Sequence, residues 1–303
     1  MHLAAKPSQL IGRVPRRAWR WIIRVALLAL LVPVLLQWVI AYIVGSDARI
    51  LPPQLLAAKN LLIVTAHPDD ECLFFSPSIL GVLDRNRAIT GGLLVMSTGN
   101  NYGLGDVRKK ELQGSCKALG IHSERCVAMD HPELQDNPRV WWNTELIESI
   151  VHEHVKKWQI DAILTFDEGG VSGHLNHRAV SAAVRNYAAT NPDAPAAFTL
   201  TTTSLLRKYT FLGDLPLTAL PFAWRILGAL SYPATTADPK DGTRALVANT
   251  WNRYLKTRHA FAQHPSQYTW DRHLYMVVSR YVWFNDLKRV ERAAPHAAQR
   301  THN

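Results

Sequence analysis

From Val25 to Ser46 the chain reads VALLALLVPVLLQWVIAYIVGS, without one charged residue. A helix rising about 1.5 Å per residue crosses the roughly 30 Å hydrocarbon core of a bilayer with about 20 apolar residues. This stretch is long enough, and it predicts a transmembrane anchor. Trp19 and Trp21 on one side and Trp38 and Tyr42 towards the other suit the two interfaces, and Pro33 and Gln37 are interruptions that a membrane helix tolerates. A secretory signal would have a shorter apolar core, roughly 7 to 15 residues. The chain therefore divides into a basic segment (1–24), an anchor (25–46), a linker held extended by Pro52 and Pro53 (47–59), one globular domain (60–290) and a basic tail, expected to be disordered (291–303).

The net charge of +10 invites a nucleic-acid reading, but its distribution argues against one. Lys6, Arg13, Arg16, Arg17, Arg20 and Arg24 precede the anchor, and Lys288, Arg289, Arg292 and Arg300 close the chain against Glu291. The intervening domain is near neutral and has no long basic face for a phosphate backbone. Two signals on orientation conflict. Arginines before the anchor put the N-terminus in the cytoplasm and the domain in a lumen. The three cysteines, Cys72, Cys116 and Cys126, form no CxxC pair and leave an odd thiol, which predicts small core residues in a reducing compartment.

Within the domain, apolar runs alternate with segments of helical spacing. Strands are expected at Leu61 to Thr65, Gly92 to Ser97, Cys126 to Asp130, Ile160 to Phe166 and Phe198 to Thr202. Helices are expected at Pro77 to Asp84, Val107 to Leu119, Thr144 to Trp158, His177 to Tyr187 and Thr243 to Phe261. This βα alternation predicts an α/β fold, a Rossmann-like, mostly parallel sheet covered by helices on both faces, with ligand sites at the carboxyl ends of its strands. No GxGxxG follows the first strand, so a dinucleotide is not expected. SYPATTADPKDGT (231–243) reads as a loop.

Two of those strand ends carry chemistry. LLIVTAHPDDE (61–71) runs from an apolar strand directly into His67, Asp69, Asp70 and Glu71, with no Lys or Arg between them and Arg85. Such a concentration of carboxylates is costly to bury unless a cation compensates it. A second apolar strand, IDAILTF, runs into DEGGVSGHLNH, which ends on His174 and His177. Catalytic zinc takes three protein ligands from His and carboxylates and leaves one position open. His67, Asp70 and His177 would supply them, Asp69 would take a proton from the attacking water, and His174 would protonate the leaving group or hold the developing oxyanion. Each cluster alone has a bland reading: a surface turn for HPDDE, an accident of histidine content for HxxH. Together, at two strand ends, they predict a site. His152 and His154 read as a solvated helix face, Asp167 and Glu168 equally as orienters of an imidazole or as loop acids, and Asn176 as a helix cap.

With these residues in hand, the chain resembles the N-acetylglucosaminyl-phosphatidylinositol de-N-acetylase family, also called the PIG-L family, whose members share AHPDDE and a later HxxH. Here these are Ala66 to Glu71 and His174 to His177, and the likeness continues through STGN (97–100), RKKEL (108–112), SCKALGI (115–121), LLRKY (205–209), DLPL (214–217) and HPSQYTWDRHLYMVVSRY (264–281). The resemblance implies removal of acetate from a glucosamine nitrogen of a membrane glycolipid, the second step of glycolipid-anchor synthesis. His67, Asp70 and His177 would hold a divalent metal, zinc in the first place, with Asp69 as base and His174 as acid or oxyanion partner. It further implies substrate contacts from Arg108, Asn100 and His264, a guanidinium being suited to phosphate. Bacterial relatives have a tyrosine where this chain has Ser172, so no oxyanion help from that position is implied. The family places its anchored members in the endoplasmic reticulum membrane with the domain facing the cytoplasm, in agreement with the cysteine reading. Partners are then the bilayer and its glycolipid, with no nucleic acid. The alternatives are a deacetylase of another N-acetyl sugar conjugate, or a catalytically silent glycolipid-binding protein of the same fold.

Overall fold

In the computed structural model, residues 15–232, 234 and 242–293 are described. The LLIVT run forms β1 (Asn60–Thr65), every residue after Asn60 buried, because a strand flanked on both sides and covered on both faces needs apolar side chains in both directions. Six further strands join it among the described residues: β2 (Thr90–Val95), β3 (Cys126–Ala128), β4 (Ala162–Phe166), β5 (Ala196–Leu200), β6 (Arg244–Ala248) and β7 (Phe284–Arg289). Their order is β3-β2-β1-β4-β5-β7-β6. The first five run parallel, and β7 is antiparallel to both neighbours. The fold is thus the expected Rossmann-like α/β sheet with an antiparallel addition.

The helices are α1 (Arg16–Trp38), α2 (Pro53–Leu56), α3 (Ser76–Leu83), α4 (Gly105–Leu119), α5 (Thr144–Lys157), a single turn α6 (Gly170–Gly173), α7 (Leu175–Thr190), α8 (Leu205–Lys208), α9 (Leu215–Ala219), α10 (Ala223–Ser231), α11 (Trp251–Phe261) and α12 (Trp270–Val278). α3, α4 and α11 pack together on one face of the sheet, and α5 and α7 cover the other. The chain reverses its direction of strand addition between β1 and β4, which pair side by side. At such a reversal the connections leave to opposite faces and open a crevice beyond the strands' carboxyl ends. Both chemical clusters lie there.

Four expectations need correction. Thr243 to Phe261 is not one helix: Arg244–Ala248 is strand and the helix starts at Trp251, where the Thr250 hydroxyl accepts from Arg253 N–H. β7 went unseen because FNDLKR is polar; Asn285 is sealed in the core by bonding Ser78 and the Phe74 carbonyl, and Asp286 by Arg244. The segment 47–59 is not an extended linker, since Ala48, Ile50, Leu51 and Leu55 are buried and Pro53 opens a helix turn, where its missing N–H costs nothing. Cys116 and Cys126 are joined in a disulfide between α4 and β3, with Cα atoms 6.3 Å apart, so the reading of three unpaired thiols fails and only Cys72 is free. Spacing alone could not reveal this pair, because strand and helix bring the two thiols together only in the folded sheet. Most of the 231–243 segment and most of the basic tail lie outside the described residues.

The apolar N-terminal helix runs as one helical stretch from Arg16 to Val44, with an 18-residue window of mean hydropathy 2.5. Its outer part exposes Leu, Val and Trp side chains, whereas Ile40 and Val44 near its end are buried against the domain. Tyr42 accepts a hydrogen bond from Trp251 N–H, and Gln37 donates to the Asn249 carbonyl. α9 packs against α1, and the segment Leu215–Ser231 beside it exposes Leu217, Leu220, Trp224, Leu227 and Leu230.

Candidate active site

The turn after β1 is shaped by its own acids. Asp70 Oδ2 accepts the backbone N–H groups of Ala66 and His67 at 3.1 and 2.8 Å. This folds the chain back so that Asp69 takes φ of 109°, a strained conformation for a residue with a Cβ. The strain is held by Glu71, whose Oε2 accepts Asp69 N–H at 3.0 Å. Glu71 Oε1 in turn accepts from His264 Nε2 at 2.7 Å and Ser115 Oγ at 2.5 Å, with the Cys72 thiol at 3.3 Å. Burial would push the Glu71 carboxyl up, but His264 outweighs it and holds it at about 2; the same pairing raises His264 against its own burial. His264, expected to meet substrate, is fully buried and instead fixes the residue that fixes Asp69.

The second loop is braced differently. Asp167 accepts from Gly169 N–H, Gly170 N–H and Thr202 N–H, and Thr202 Oγ1 accepts from Val171 N–H. Asp167 is therefore a loop brace rather than a partner of an imidazole, and Glu168 is exposed and paired with Arg185. Gly170 has φ of 59°, and a Cβ there would lie 2.8 Å from the His177 Cβ, so only glycine allows this approach. The approach matters because the Gly170 carbonyl lies 2.9 Å from His177 Nδ1. A carbonyl accepts only, so Nδ1 carries the proton and Nε2 presents a lone pair. Phe166 stacks on this ring at 4.3 Å, closing its other face to water.

The two loops meet. His67 Nδ1 lies 3.3 Å from His177 Nε2, although the residues are 110 positions apart. Asp70 Oδ1 is 3.4 Å from His177 Nε2, and Asp70 Oδ2 is 3.9 Å from His67 Nδ1. His67 Nε2 faces acceptors, Asp136 Oδ1 and Asn176 Oδ1, each at 3.2 Å. Nε2 therefore donates, and in the neutral ring the Nδ1 lone pair points at the Nε2 lone pair of His177 beside a carboxylate. Two lone pairs and an anion converging on one point require a cation between them. His174 completes the group, its ligand atom within 4.8 Å of those of His67 and His177. The donor set, imidazole nitrogens with one carboxylate, suits a divalent metal ion. Burial opposes a charge on His67, but the hydrogen bond to Asp136 and the charge of Asp70 raise its pKa overall; the field that favours a proton there favours a metal ion equally. Burial and the charge of neighbouring His67 hold His177 down at about 3, and burial with the other imidazoles holds His174 at about 4, so both rings are neutral near pH 7.

Asp69 is 6% exposed and faces Arg108, whose Nη2 is 3.7 Å from its Oδ2. Burial raises its pKa to about 6 while the Arg108 charge opposes the rise, which poises it to exchange a proton near neutrality. Arg108 is itself buried, donating to the Gly99 carbonyl at 3.0 Å and the Pro68 carbonyl at 2.6 Å. Its Nη1 lies 3.8 Å from Asp136 Oδ2, so Asp136 links Arg108 to His67. Asn100, expected at the substrate, is exposed, and its Oδ1 accepts Gly105 N–H at the start of α4. Asn176 does not cap α7; His174 Nδ1 does so, accepting from Asn176 N–H, while the Asn176 side chain supports His67. His154 is buried beside Trp158 with its Nδ1 2.8 Å from the Ile150 carbonyl, and is not part of a solvated face.

Residues 62–188 match the family model for GlcNAc-PI de-N-acetylase, a span that holds both loops. The N-acetylglucosaminyl-phosphatidylinositol de-N-acetylase of Bos taurus is 36% identical over 258 residues, 83% of this chain and 93% of its own length. The chain belongs to the PIG-L family. It is a deacetylase of that family by this likeness. The Saccharomyces cerevisiae protein of the same name is 32% identical over 74% of this chain and 79% of its own length. A probable de-N-acetylase from Dictyostelium discoideum is 29% identical over 78% and 95%.

Asp136 was the site residue that the sequence reading missed. It stands alone in QDNP with no apolar strand running directly into it, and only its place after β3, whose carboxyl end faces the same crevice, could have drawn notice. As the acceptor for His67 Nε2–H it fixes that ring's tautomer and aim, a role whose loss costs about 10–100-fold in metal affinity. Asp136→Ala is expected to weaken metal binding by about that factor in a competitive chelator titration. An unchanged affinity would remove Asp136 from this role.

Proposed function

We propose that this PIG-L family deacetylase removes the acetyl group from N-acetylglucosaminyl-phosphatidylinositol, the activity its bovine relative's name carries. The observation that supports this best is the convergence of His67, Asp70 and His177 beside Asp69 at the sheet's reversal point. We assign zinc as the metal, held by His67, Asp70 and His177. When bound, it would polarise the acetyl carbonyl and make water more acidic.

The chain's own groups do the rest. Asp69 takes a proton from the attacking water as the new C–O bond forms, and Arg108 and the strained turn hold its carboxylate in place. His174 accepts Asn176 N–H at Nδ1, so its proton is on Nε2, and as a neutral ring it donates to the oxygen that gains charge. This choice, donor rather than acid, follows from its low pKa of about 4. Asp69 then returns its proton to the amide nitrogen as the C–N bond breaks, giving acetate and the amine.

The apolar Arg16–Val44 helix and the exposed face of Leu215–Ser231 beside it suit an enzyme held in the endoplasmic reticulum membrane with its lipid substrate. Confining both to one plane raises their effective concentration. The Cys116–Cys126 bond removes the support that unpaired thiols gave to a cytoplasm-facing domain, and that orientation now stands on the family resemblance alone. The test is acetate release by the purified full chain from the glycolipid and from free N-acetylglucosamine side by side. Release from the glycolipid at 100-fold or greater excess in kcat/KM supports the reading. A preference for the free sugar points to another conjugate, and no release from either points to a silent binding protein.

A further inference from the structure

Lys208, the last residue of α8, is 7% exposed and has no carboxylate within ion-pair distance among the described residues. Its Nζ lies 5.5 Å from the ring centre of Phe74 and 5.6 Å from those of Tyr209 and Tyr275. Aromatic faces repay only part of the cost of desolvating an ammonium. Burial, and then the charge of Arg272, lowers its pKa to about 8. Arg272 on α12 lies against the same aromatic wall, 6.0 Å from the Tyr275 ring centre. Arg272 has exposed Asp271 beside it at 4.0 Å, whereas Lys208 has no acid in reach among the described residues, so two like charges share one ring and an anion at Lys208 would relieve their repulsion.

The place of this pair gives the anion its chemistry. Phe74 also packs edge-on to His177, 5.9 Å between ring centres, so the aromatic cage around Lys208 borders the candidate site. Lys208 contributes to the electrostatic field at His177, and Arg272 to that at Asp69. On the opposite side, α8 exposes Leu205 and Leu206 and leads into the exposed apolar face of α9 and α10 that adjoins the anchor. Lys208 thus stands between the catalytic floor and the apolar surface, where the headgroup of a membrane lipid would pass.

We propose that Lys208, assisted by Arg272, is the receptor for the phosphodiester of the glycolipid and so selects a phosphatidylinositol-linked sugar over the phosphate-free one. This rests on the function proposed above. A phosphodiester oxygen would accept from the ammonium and from the guanidinium, and the apolar stem of Lys208 would stay on its aromatic cage. Arg108 is engaged by two backbone carbonyls, Asp69 and Asp136, and keeps only its buried Nε unpartnered, whereas the Lys208 ammonium has no hydrogen-bond partner among the described residues.

The test uses the full chain in detergent, with three substrates or probes: the glycolipid, N-acetylglucosaminyl-inositol without phosphate, and glycerophosphoinositol as a soluble diester. Lys208→Met is expected to lose about 10–100-fold in kcat/KM on the glycolipid, mainly in KM, as for a lost charge-assisted hydrogen bond. The loss should be at least tenfold smaller on the phosphate-free substrate, and Lys208→Arg should recover part of it. Equal losses on both substrates, or none on the glycolipid, would overturn the assignment. Binding of glycerophosphoinositol, read by phosphorus NMR, separates this idea from the hydrolase reading. Binding by wild type that Lys208→Met abolishes supports the phosphate site even if no substrate releases acetate. Binding that Lys208→Met leaves intact, or that inorganic phosphate matches in affinity, refutes a diester receptor.

Discussion

Asp69→Asn is expected to lower acetate release by about 10²–10⁴-fold while leaving the bound metal in place. The side chain is no ligand in this arrangement: its carboxylate faces Arg108, whereas Asp70 and the imidazoles of His67 and His177 face one another. An amide keeps the shape and the bond to Arg108 is weakened, but it cannot take a proton from water. His67→Ala should behave differently, losing metal and turnover together, because it removes one of the converging lone pairs. Metal content by elemental analysis beside acetate release in the two variants checks the division of roles. Equal metal loss in both would make Asp69 a ligand, and near-normal turnover in Asp69→Asn would remove it as the base.

The second large effect concerns stability. His264→Ala leaves the Glu71 carboxylate buried with Ser115 and Cys72 but without its cation, and breaking a buried pair from one side costs about 3–5 kcal/mol. The pH dependence follows from the two shifts. Glu71, held down at about 2 from its usual 4.5, stabilises the fold above 4.5 and loses that contribution as pH falls towards 2. His264, raised from 6.5, contributes fully below 6.5 and loses its contribution as pH rises through its folded value. The pair is therefore worth most between about pH 4.5 and 6.5. Denaturant unfolding followed by tryptophan fluorescence should show the largest gap between wild type and variant in that window. It should also show the variant gaining stability on acidification, as the stranded carboxyl takes up a proton. A gap below about 1 kcal/mol, the size of an exposed pair, would contradict the account. Because Glu71 also holds Asp69 in its left-handed turn, residual activity should fall with the stability.

The parallel part of the sheet was legible because strands buried on both faces are written in unbroken apolar letters, as in LLIVT and AILTF. β7 was not, since its polar residues are satisfied by particular partners, Asn285 by Ser78 and Asp286 by Arg244, which no pattern in the chain announces, and the short apolar β6 was merged with the helix that follows it. The two halves of the site were readable as acids and imidazoles at strand ends, and their convergence follows from where the sheet reverses. The supports were harder to read. Asp136 acts on His67 from a loop of no regular structure, and His264 reaches Glu71 across 193 positions. The disulfide between Cys116 and Cys126 was hidden for the same reason, as was the aromatic cage that Phe74, Tyr209 and Tyr275 form around Lys208.

The most direct test of the central claim is reconstitution. The purified full chain is stripped with chelator, zinc is returned in fractional equivalents, and acetate release from the glycolipid is followed at each addition. The account predicts no turnover in the stripped protein and a linear recovery that ends at one metal per chain. Full turnover after stripping, or recovery in a His67→Ala, His177→Ala double variant, would contradict a metal centre formed where the two loops meet.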